Sequence, residues 1–205
     1  MLLLATTGHP DVAERFRHPN LGRLLQPRHT SSAERTAEAG LPWAADNDCF
    51  QGLHAGRFLR MLAIIDELPG CLFVSCPDVV GDHAQTLELW HEWSPVIEEV
   101  GQRPAFVLQD GATWDEVPSE VPLFIGGSTE FKLGYDCAAL VRCAKYEGRW
   151  VHMGRVNSAK RMAYAASIGV DSIDGTGWVR FKDAHLQRGI DLAANLSGAT
   201  PLALF

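Results

Sequence analysis

The chain has 205 residues, a length that suits one domain or one barrel of modest size. Hydrophobic residues make up 46% and charged residues 21%, which is ordinary for a globular protein with its own core and excludes a low-complexity or disordered chain. The net charge of −7 argues mildly against a nucleic-acid partner. Residues 141–190, however, carry nine Lys or Arg and four Asp or Glu, a net +5 segment that is either a phosphate-binding face or a solvated helix face.

The five cysteines are an odd number without a CxxC pair or zinc-type spacing, so we expect reduced thiols in a cytoplasmic protein and no metal. The apolar start at residues 1–4 has no basic region before it and is typical of a first strand rather than a signal peptide. No window is long enough for a membrane span, and we expect no membrane partner and no cofactor.

Short apolar runs rich in β-forming residues alternate with longer amphipathic segments along the chain. The runs lie at residues 2–6, 41–46, 71–78, 104–110, 123–127, 150–155 and 171–175. Helical patterns lie at 54–67, 83–100, 135–147 and 158–168, with Asp82 and Ser158 where N-caps are expected. Buried runs that are each followed by a helix predict parallel strands with both faces covered.

Most of these runs end in polar residues or glycine, and in a barrel of parallel strands such ends converge on the catalytic face. We therefore predict an α/β fold, a (β/α)8 TIM-type barrel that is compact or partly truncated, as a single domain over residues 1–205. The eighth strand is not resolved by the pattern and is expected near 20–30 or 189–195. A doubly wound open sheet would also gather some of these ends, but no GxGxxG follows the first run.

The strand ends resemble those of the tRNA-guanine transglycosylase family, which includes small phage and bacterial relatives that insert 7-deazaguanines into DNA. The resemblance covers residues 41–180 and depends on five motifs in the family order, each weak alone. They are Asp46-Asn47-Asp48-Cys49-Phe50-Gln51, Phe106-Val107-Leu108-Gln109-Asp110-Gly111, Ile125-Gly126-Gly127-Ser128-Thr129-Glu130, His152-Met153-Gly154-Arg155-Val156, and Gly169-Val170-Asp171-Ser172-Ile173-Asp174 with Arg180 at the family offset.

The resemblance implies that Asp174 is the nucleophile, because base exchange breaks an N-glycosidic bond and a carboxylate can trap the sugar covalently. It implies that Asp46 is the general acid and base that serves the leaving and entering bases. The alternatives are structural: Asp174 precedes a glycine in a common turn pair, and Asp46 suits an N-cap or an Asx-turn. Asp171 is expected to cap or to pair with a basic residue.

The resemblance also implies a pocket for a guanine-like base. Asp78 would accept the N1 and N2 protons of that base, Gln109 and the Gly127 backbone would bind its carbonyl, and Phe50 and Met153 would stack on its faces. Such residues are elsewhere more often core or tight turns. The complete expected base-binding set is Asp78, Gln109, Gly126, Gly127, Phe50 and Met153.

Three residues of the basic segment are expected to bind ribose or phosphate: Arg155, Asn157 and Arg180. An equally good interpretation of Arg155 is an ion pair with Asp174 or Glu130. Lys160 and Arg161 are further candidates for phosphate contacts.

The sequence departs from the family in three places. The Ser-Gly-Gly after the first acid is replaced by Asn47-Asp48-Cys49, the Pro-Thr before Arg180 is missing, and the residues after Asp174 carry no zinc-type cysteine cluster. These changes favour DNA over tRNA as the acceptor, without a zinc subdomain and with a possible protein partner. Two alternatives remain open. The first is a DNA N-glycosylase or nucleoside hydrolase, which the extra acid Asp48 favours. The second is a non-catalytic nucleic-acid-binding subunit.

Overall fold

A computed structural model describes residues 1–6, 16–31, 33–180 and 183–197. Within these ranges eight strands share one sheet. They are β1 (Leu2–Ala5), β2 (Leu21–Leu25), β3 (Trp43–Ala45), β4 (Cys71–Ser75), β5 (Pro104–Leu108), β6 (Leu123–Ile125), β7 (Val151–Met153) and β8 (Ser172–Asp174).

The strands form a closed barrel in chain order, and every neighbouring pair is parallel. The ring closes where β1 pairs with β8, with Leu4 opposite Asp174. This confirms the predicted (β/α)8 barrel. The eighth strand is β2, inside the first of the two ranges that the sequence left open, whereas residues 189–195 are helical.

Helices follow most strands and cover the barrel from outside. They are α1 (Ala33–Glu38), α2 (Ala55–Ile65), α3 (His83–Glu99), α4 (Thr129–Lys132), α5 (Tyr135–Tyr146), α6 (Ala159–Ser167), α7 (Thr176–Val179) and α8 (Asp183–Leu196). The four predicted helices are α2, α3, α5 and α6. Both expected N-caps are confirmed, because Asp82 accepts from Gln85 N and Ser158 accepts from Arg161 N.

The connection between β5 and β6 is short, and all of its residues are described. It contains a 3₁₀ turn, Trp114–Glu116, in place of an α-helix. The barrel is therefore complete in its strands and reduced in its helices at this point, which explains how it fits into a chain shorter than a typical barrel.

Side chains alternate between the barrel interior and the layer under the helices, as the pleat of a strand requires. The interior holds a small apolar cluster of Leu2, Leu4, Leu24, Ala44, Phe73 and Ala105. The larger cluster outside the strands includes Leu3, Met153 and Ile173. The alternation decides which strand-end side chains reach the open end of the barrel.

In the part of the chain that the structure describes, no helix is both long enough and apolar enough to cross a membrane. The predicted single domain 1–205 includes ranges outside the described residues; the described residues form this one barrel.

Candidate active site

A cavity of about 260 Å³ opens at the carboxyl ends of the strands, the end of a barrel where active sites lie. The sequence-predicted residues that line it are Asp46, Phe50, Asp78, Gln109, Gly126, Gly127, Arg155, Asn157 and Asp174. The fold thus brings together, in one cavity, residues from the five separate motifs that were predicted to meet on one face.

Asp174, the last residue of β8, is held by one of its two oxygens. Its Oδ1 lies 3.2 Å from His152 Nε2 and accepts the backbone N–H of Arg155 at 3.0 Å. The carboxylate is 7% exposed, and Oδ2 takes no hydrogen bond from the described residues. One oxygen is therefore fixed, and the other has no hydrogen-bond partner among the described residues, in a residue that lines the cavity.

Asp46 follows β3 and is held more loosely. The Asn47 backbone N–H donates to its Oδ1 at 2.9 Å, while Ser75 and Gln26 donate only at 3.5 and 3.4 Å. Burial, and then the negative charge of Asp174, raise the pKa of the Asp46 carboxyl from its ordinary 3.8 to about 7. A carboxyl with such a pKa is suited to giving and taking protons near neutral pH.

Asp78, beyond the end of β4, is gripped on both oxygens by side-chain amides. Asn47 Nδ2 donates to Oδ1 at 2.7 Å and Gln109 Nε2 donates to Oδ2 at 2.5 Å. Burial raises the pKa of Asp78 to about 6, opposed by the Asn47 hydrogen bond and the charge of Arg155. Asp78 is thus an oriented hydrogen-bond acceptor.

The expected role of Gln109 needs correction. Its Nε2 donates to Asp78, and its Oε1 accepts the Gly81 N–H at 2.9 Å, so the amide is engaged at both ends within the protein. A side chain already bound in this way positions Asp78 rather than reading a base carbonyl. Gly126 makes the arrangement possible, because a Cβ there would lie 2.6 Å from Gln109 Nε2.

Phe50 and Arg155 meet at the mouth of the cavity. The Phe50 ring is 65% exposed and the Arg155 guanidinium lies 4.8 Å from its centroid, a cation–π contact. Arg155 Nη2 also donates to the Gly127 carbonyl at 2.8 Å. Its backbone has φ +60, a left-handed conformation that side chains rarely adopt, and this turns its N–H towards Asp174. The alternative prediction of an ion pair between Arg155 and Asp174 is therefore wrong, because Arg155 binds that carboxylate through its backbone N–H and not through its guanidinium.

Positive charge collects on the β7 side of the mouth. Lys132, Arg155 and Arg161 line one small recess there. Lys132 is buried and donates to the Gly154 carbonyl at 3.0 Å; burial, and then the charge of Arg155, lower its pKa to about 8. None of the three makes a salt bridge to a carboxylate among the described residues, so this side of the mouth attracts anions.

One predicted site residue, Met153, does not fit its expected role, and the ribose- or phosphate-binding roles of Arg180 and Asn157 stay predictions. Met153 is 2% exposed and packs in the outer cluster, because its neighbour His152 takes the inward position on β7. Arg180 is exposed at the end of α7 and does not line the cavity. Asn157 lines the cavity, but its Oδ1 accepts the Gly177 N–H at 2.8 Å and so closes the turn into α7.

Two residues of the site were missed by sequence reasoning: His152, which holds Asp174, and Asn47, which holds Asp78. The period-2 alternation along 150–155 is the signal that would have found His152, since a strand cannot turn both His152 and Met153 inward. Asn47 lies in a segment where the sequence departs from the family motif, and its orientation follows from a loop.

The extra acid Asp48 is neutralised by Arg28, which donates to its two oxygens at 2.6 and 2.5 Å. No group of three or more His, Cys, Asp or Glu in the described ranges is placed to hold a metal ion.

Comparison with known proteins addresses the fold. No family model and no curated protein matches the chain. A similar solved structure is a chain of the crystal structure of the Amycolatopsis orientalis BexX/CysO complex, with a TM-score of 0.57 and 17% identity over 99% of this chain and 94% of that chain. At this identity the likeness concerns the fold alone and assigns no activity.

Proposed function

We propose that this protein exchanges a base in a nucleic acid, replacing guanine by a 7-deazaguanine through a covalent bond between Asp174 and the sugar. The observation that carries the proposal is the difference between two carboxyl groups in one cavity. Asp174 has a fixed Oδ1 and a free Oδ2, whereas Asp46 has a pKa raised to about 7. Two carboxyl groups in contrasting environments can divide the roles of nucleophile and proton carrier.

In the first half-reaction, Asp174 Oδ2 attacks the sugar carbon C1′ and the bond from C1′ to the base nitrogen breaks. The electron pair of that bond leaves with the base, and Asp46 supplies the proton that the base takes. In the second half-reaction, the incoming base gives a proton to Asp46 and its nitrogen attacks C1′. The bond between C1′ and Asp174 then breaks and restores both carboxyl groups.

Recognition of the base is assigned to Asp78 and Phe50. Above a pH of about 6 Asp78 is ionised and accepts hydrogen bonds from the N1 and N2 protons of a guanine-like base. Phe50 offers an exposed ring on which a base can stack. The cavity of about 260 Å³ suits one base that has been flipped out of its stack, and excludes a base pair.

The proposed acceptor is DNA, with tRNA as the second substrate to test. Support for a polyanionic partner comes from Arg155 at the mouth and Arg161 in the adjoining recess, which make no salt bridge to a carboxylate among the described residues and can bind phosphates. The preference for DNA comes from the departures from the tRNA-modifying motif at residues 47–49.

A hydrolytic reaction that releases the base to water is the second candidate. It requires the same Asp174, and Asp46 could activate water as readily as a base. The extra acid that favoured hydrolysis is paired with Arg28 through both of its oxygens, which makes Asp48 a less suitable general base. Base exchange is therefore preferred.

The test incubates the protein with labelled guanine and either duplex DNA, single-stranded DNA or tRNA. Exchange predicts incorporated label and a protein–nucleic-acid adduct that survives denaturing electrophoresis. Release of free base with abasic sites and no incorporation identifies hydrolysis. Absence of incorporation, release and adduct with all three acceptors rejects both reactions.

A further inference from the structure

His152 lies directly beneath the proposed nucleophile and is completely enclosed. Its side chain is 0% exposed, and its ring packs against Phe73 and Phe124, with centroids 5.2 and 4.7 Å away. The carboxylate of Asp174 is its neighbour on the cavity side, with Nε2 and Oδ1 3.2 Å apart. A substrate in the cavity cannot touch His152, so any effect of this residue on the reaction passes through Asp174.

The other ring nitrogen is held from below. His152 Nδ1 lies 2.9 Å from Ser172 Oγ, and Trp150 Nε1 donates to the same oxygen at 3.0 Å. His152 and Ser172 are paired across β7 and β8, so the register of the barrel places them together. Ser172 is itself fully buried and is therefore not a nucleophile.

These contacts are compatible with one arrangement of the protons that gives each bond in the network a donor and an acceptor. An indole N–H only donates, so Ser172 Oγ accepts from Trp150 and is free to donate its own hydrogen to His152 Nδ1. A neutral ring that accepts at Nδ1 carries its proton at Nε2, which then donates to Asp174 Oδ1. In this arrangement each hydrogen bond from Trp150 through Ser172 and His152 to Asp174 Oδ1 has one donor and one acceptor.

We infer that His152, oriented by Ser172, is a positioning residue that fixes Asp174 with Oδ1 turned inward and Oδ2 presented to the cavity. The inference rests on the proposed function, because it assigns the oxygen of Asp174 that attacks. Without His152, Asp174 Oδ1 keeps only the Arg155 backbone N–H, and a carboxylate held by one donor can rotate more freely about its terminal torsion, which is broad and roughly two-fold. A misplacement of about 1 Å at a reacting atom can cost roughly 100-fold in rate.

The kinetic test compares His152→Leu, His152→Gln and Ser172→Ala with wild type. His152→Leu is expected to lower kcat about 100-fold with little change in KM for the base, since Asp78 and Phe50 are untouched. His152→Gln retains an N–H donor and is expected to recover much of that loss. The matched control is His83→Leu, which removes another buried histidine that lies outside the cavity and contacts Glu116 at 3.4 Å.

A second measurement does not need activity. In protein labelled with ¹⁵N-histidine, the ring nitrogens of His152 are expected to show a proton on Nε2 and none on Nδ1. Ser172→Ala, which removes only one oxygen, is expected to disturb that preference while the protein remains folded. The resonance is assigned by its disappearance in His152→Gln.

The outcomes separate this inference from the proposed function. If wild type catalyses exchange but His152→Leu is as fast, or if its loss lies in KM alone, the positioning role is wrong. A proton on Nδ1, or on both nitrogens, also overturns it. If the expected tautomer is found but neither exchange nor hydrolysis occurs in wild type, the network stands as structure and the proposed function fails.

Discussion

The two ends of the barrel both hold cavities, and the larger one is not the candidate active site. The amino-terminal end encloses about 490 Å³ and the mouth about 260 Å³. At the amino-terminal end the polar groups satisfy one another: Asn20 Nδ2 donates to the Met1 carbonyl at 2.9 Å and to Ser197 Oγ at 2.8 Å, and the Met1 amino group donates to the same hydroxyl. At the mouth four carboxyl groups share one cavity: Asp46, Asp48, Asp78 and Asp174. Clustered carboxyl groups with raised pKa values, more than volume, distinguish a cavity that can act on a ligand.

Two aspartates of one segment, Asp171 and Asp174, lie at opposite ends of β8 and allow the two ends of the barrel to be compared with the same side chain. Asp171 precedes β8 and binds Lys145 Nζ at 2.7 and 2.6 Å, at the end where conserved contacts serve stability. Asp174 ends β8 at the mouth, with one oxygen free of hydrogen bonds from the described residues. Two residues of strand thus separate Asp171, which is paired with Lys145, from the proposed nucleophile Asp174.

The largest expected effect is that of Asp174→Asn. The amide oxygen still accepts from His152 and Arg155, so folding is retained, but the nucleophile is gone and kcat should fall by at least about 10⁴-fold. Steady-state rates, the covalent adduct and the melting temperature are measured together. The matched control, Asp171→Asn, makes the same chemical change three positions before the proposed nucleophile. Equal activity of Asp174→Asn and wild type would remove the distinction between the two ends.

The next effect is that of Asp46→Asn, which should lower kcat by about 10²- to 10⁴-fold by removing the proton carrier. In wild type the step that needs protonated Asp46 should slow as the pH rises through about 7, and this limb should disappear in the variant. The measurement is kcat/KM from pH 5 to pH 9. A wild-type profile without a limb near 7 would exclude Asp46 as the acid.

The same substitution, Asp46→Asn, should lower activity but raise the free energy of unfolding at high pH. An Asp46 carboxyl that is ordinary when unfolded, near 3.8, and titrates at about 7 when folded makes the folded state bind the proton more tightly. Its contribution is therefore present at low pH and is lost as the pH rises from about 4 to about 7. Relative to the difference at pH 4, Asp46→Asn should gain roughly 3–4 kcal/mol of stability over wild type at pH 8, measured by urea unfolding at both pH values.

A smaller effect is expected from Phe50→Ala. Loss of a stacking ring should raise KM for the base about tenfold, since base–aromatic stacking contributes about 1–3 kcal/mol, and should leave kcat nearly unchanged. Met153→Leu is the control. Met153 is the other residue that was expected to stack on the base, but it lies in the outer cluster, away from the cavity. If Met153→Leu raises KM as much as Phe50→Ala does, the assignment of the two sides of β7 is wrong.

The smallest effect belongs to the amino-terminal end. Asp171→Asn weakens a half-buried ion pair with Lys145 and should cost about 1 kcal/mol of unfolding free energy without changing kcat or KM. Chemical denaturation and steady-state kinetics of the same preparation check both halves. A loss of turnover in a variant that unfolds normally would show that the two ends are coupled.

The sequence predicted the barrel because its strands are buried apolar runs, whose signal is local and strong. It left β2 ambiguous because Leu21–Leu25 is short and carries Gly22 and the buried Arg23. Asp46, Asp78 and Asp174 could be placed in one cavity because parallel strands bring their ends together. The contacts of Gln109 and Asn157 could not be predicted, since they depend on which amide reaches which neighbour across loops. Met153 was misplaced because the motif resemblance was weighed above the alternation of the strand.

Arg155 has a consequence for how this protein could change over generations. Its left-handed backbone costs on the order of 1 kcal/mol, which a glycine at 155 would recover. The recovered stability would come with loss of the guanidinium that spans the mouth between Phe50 and Gly127. The cation–π contact with Phe50 and the hydrogen bond to Gly127 offset the cost of the left-handed backbone, so Arg155→Gly should change stability little while it removes the guanidinium from the mouth.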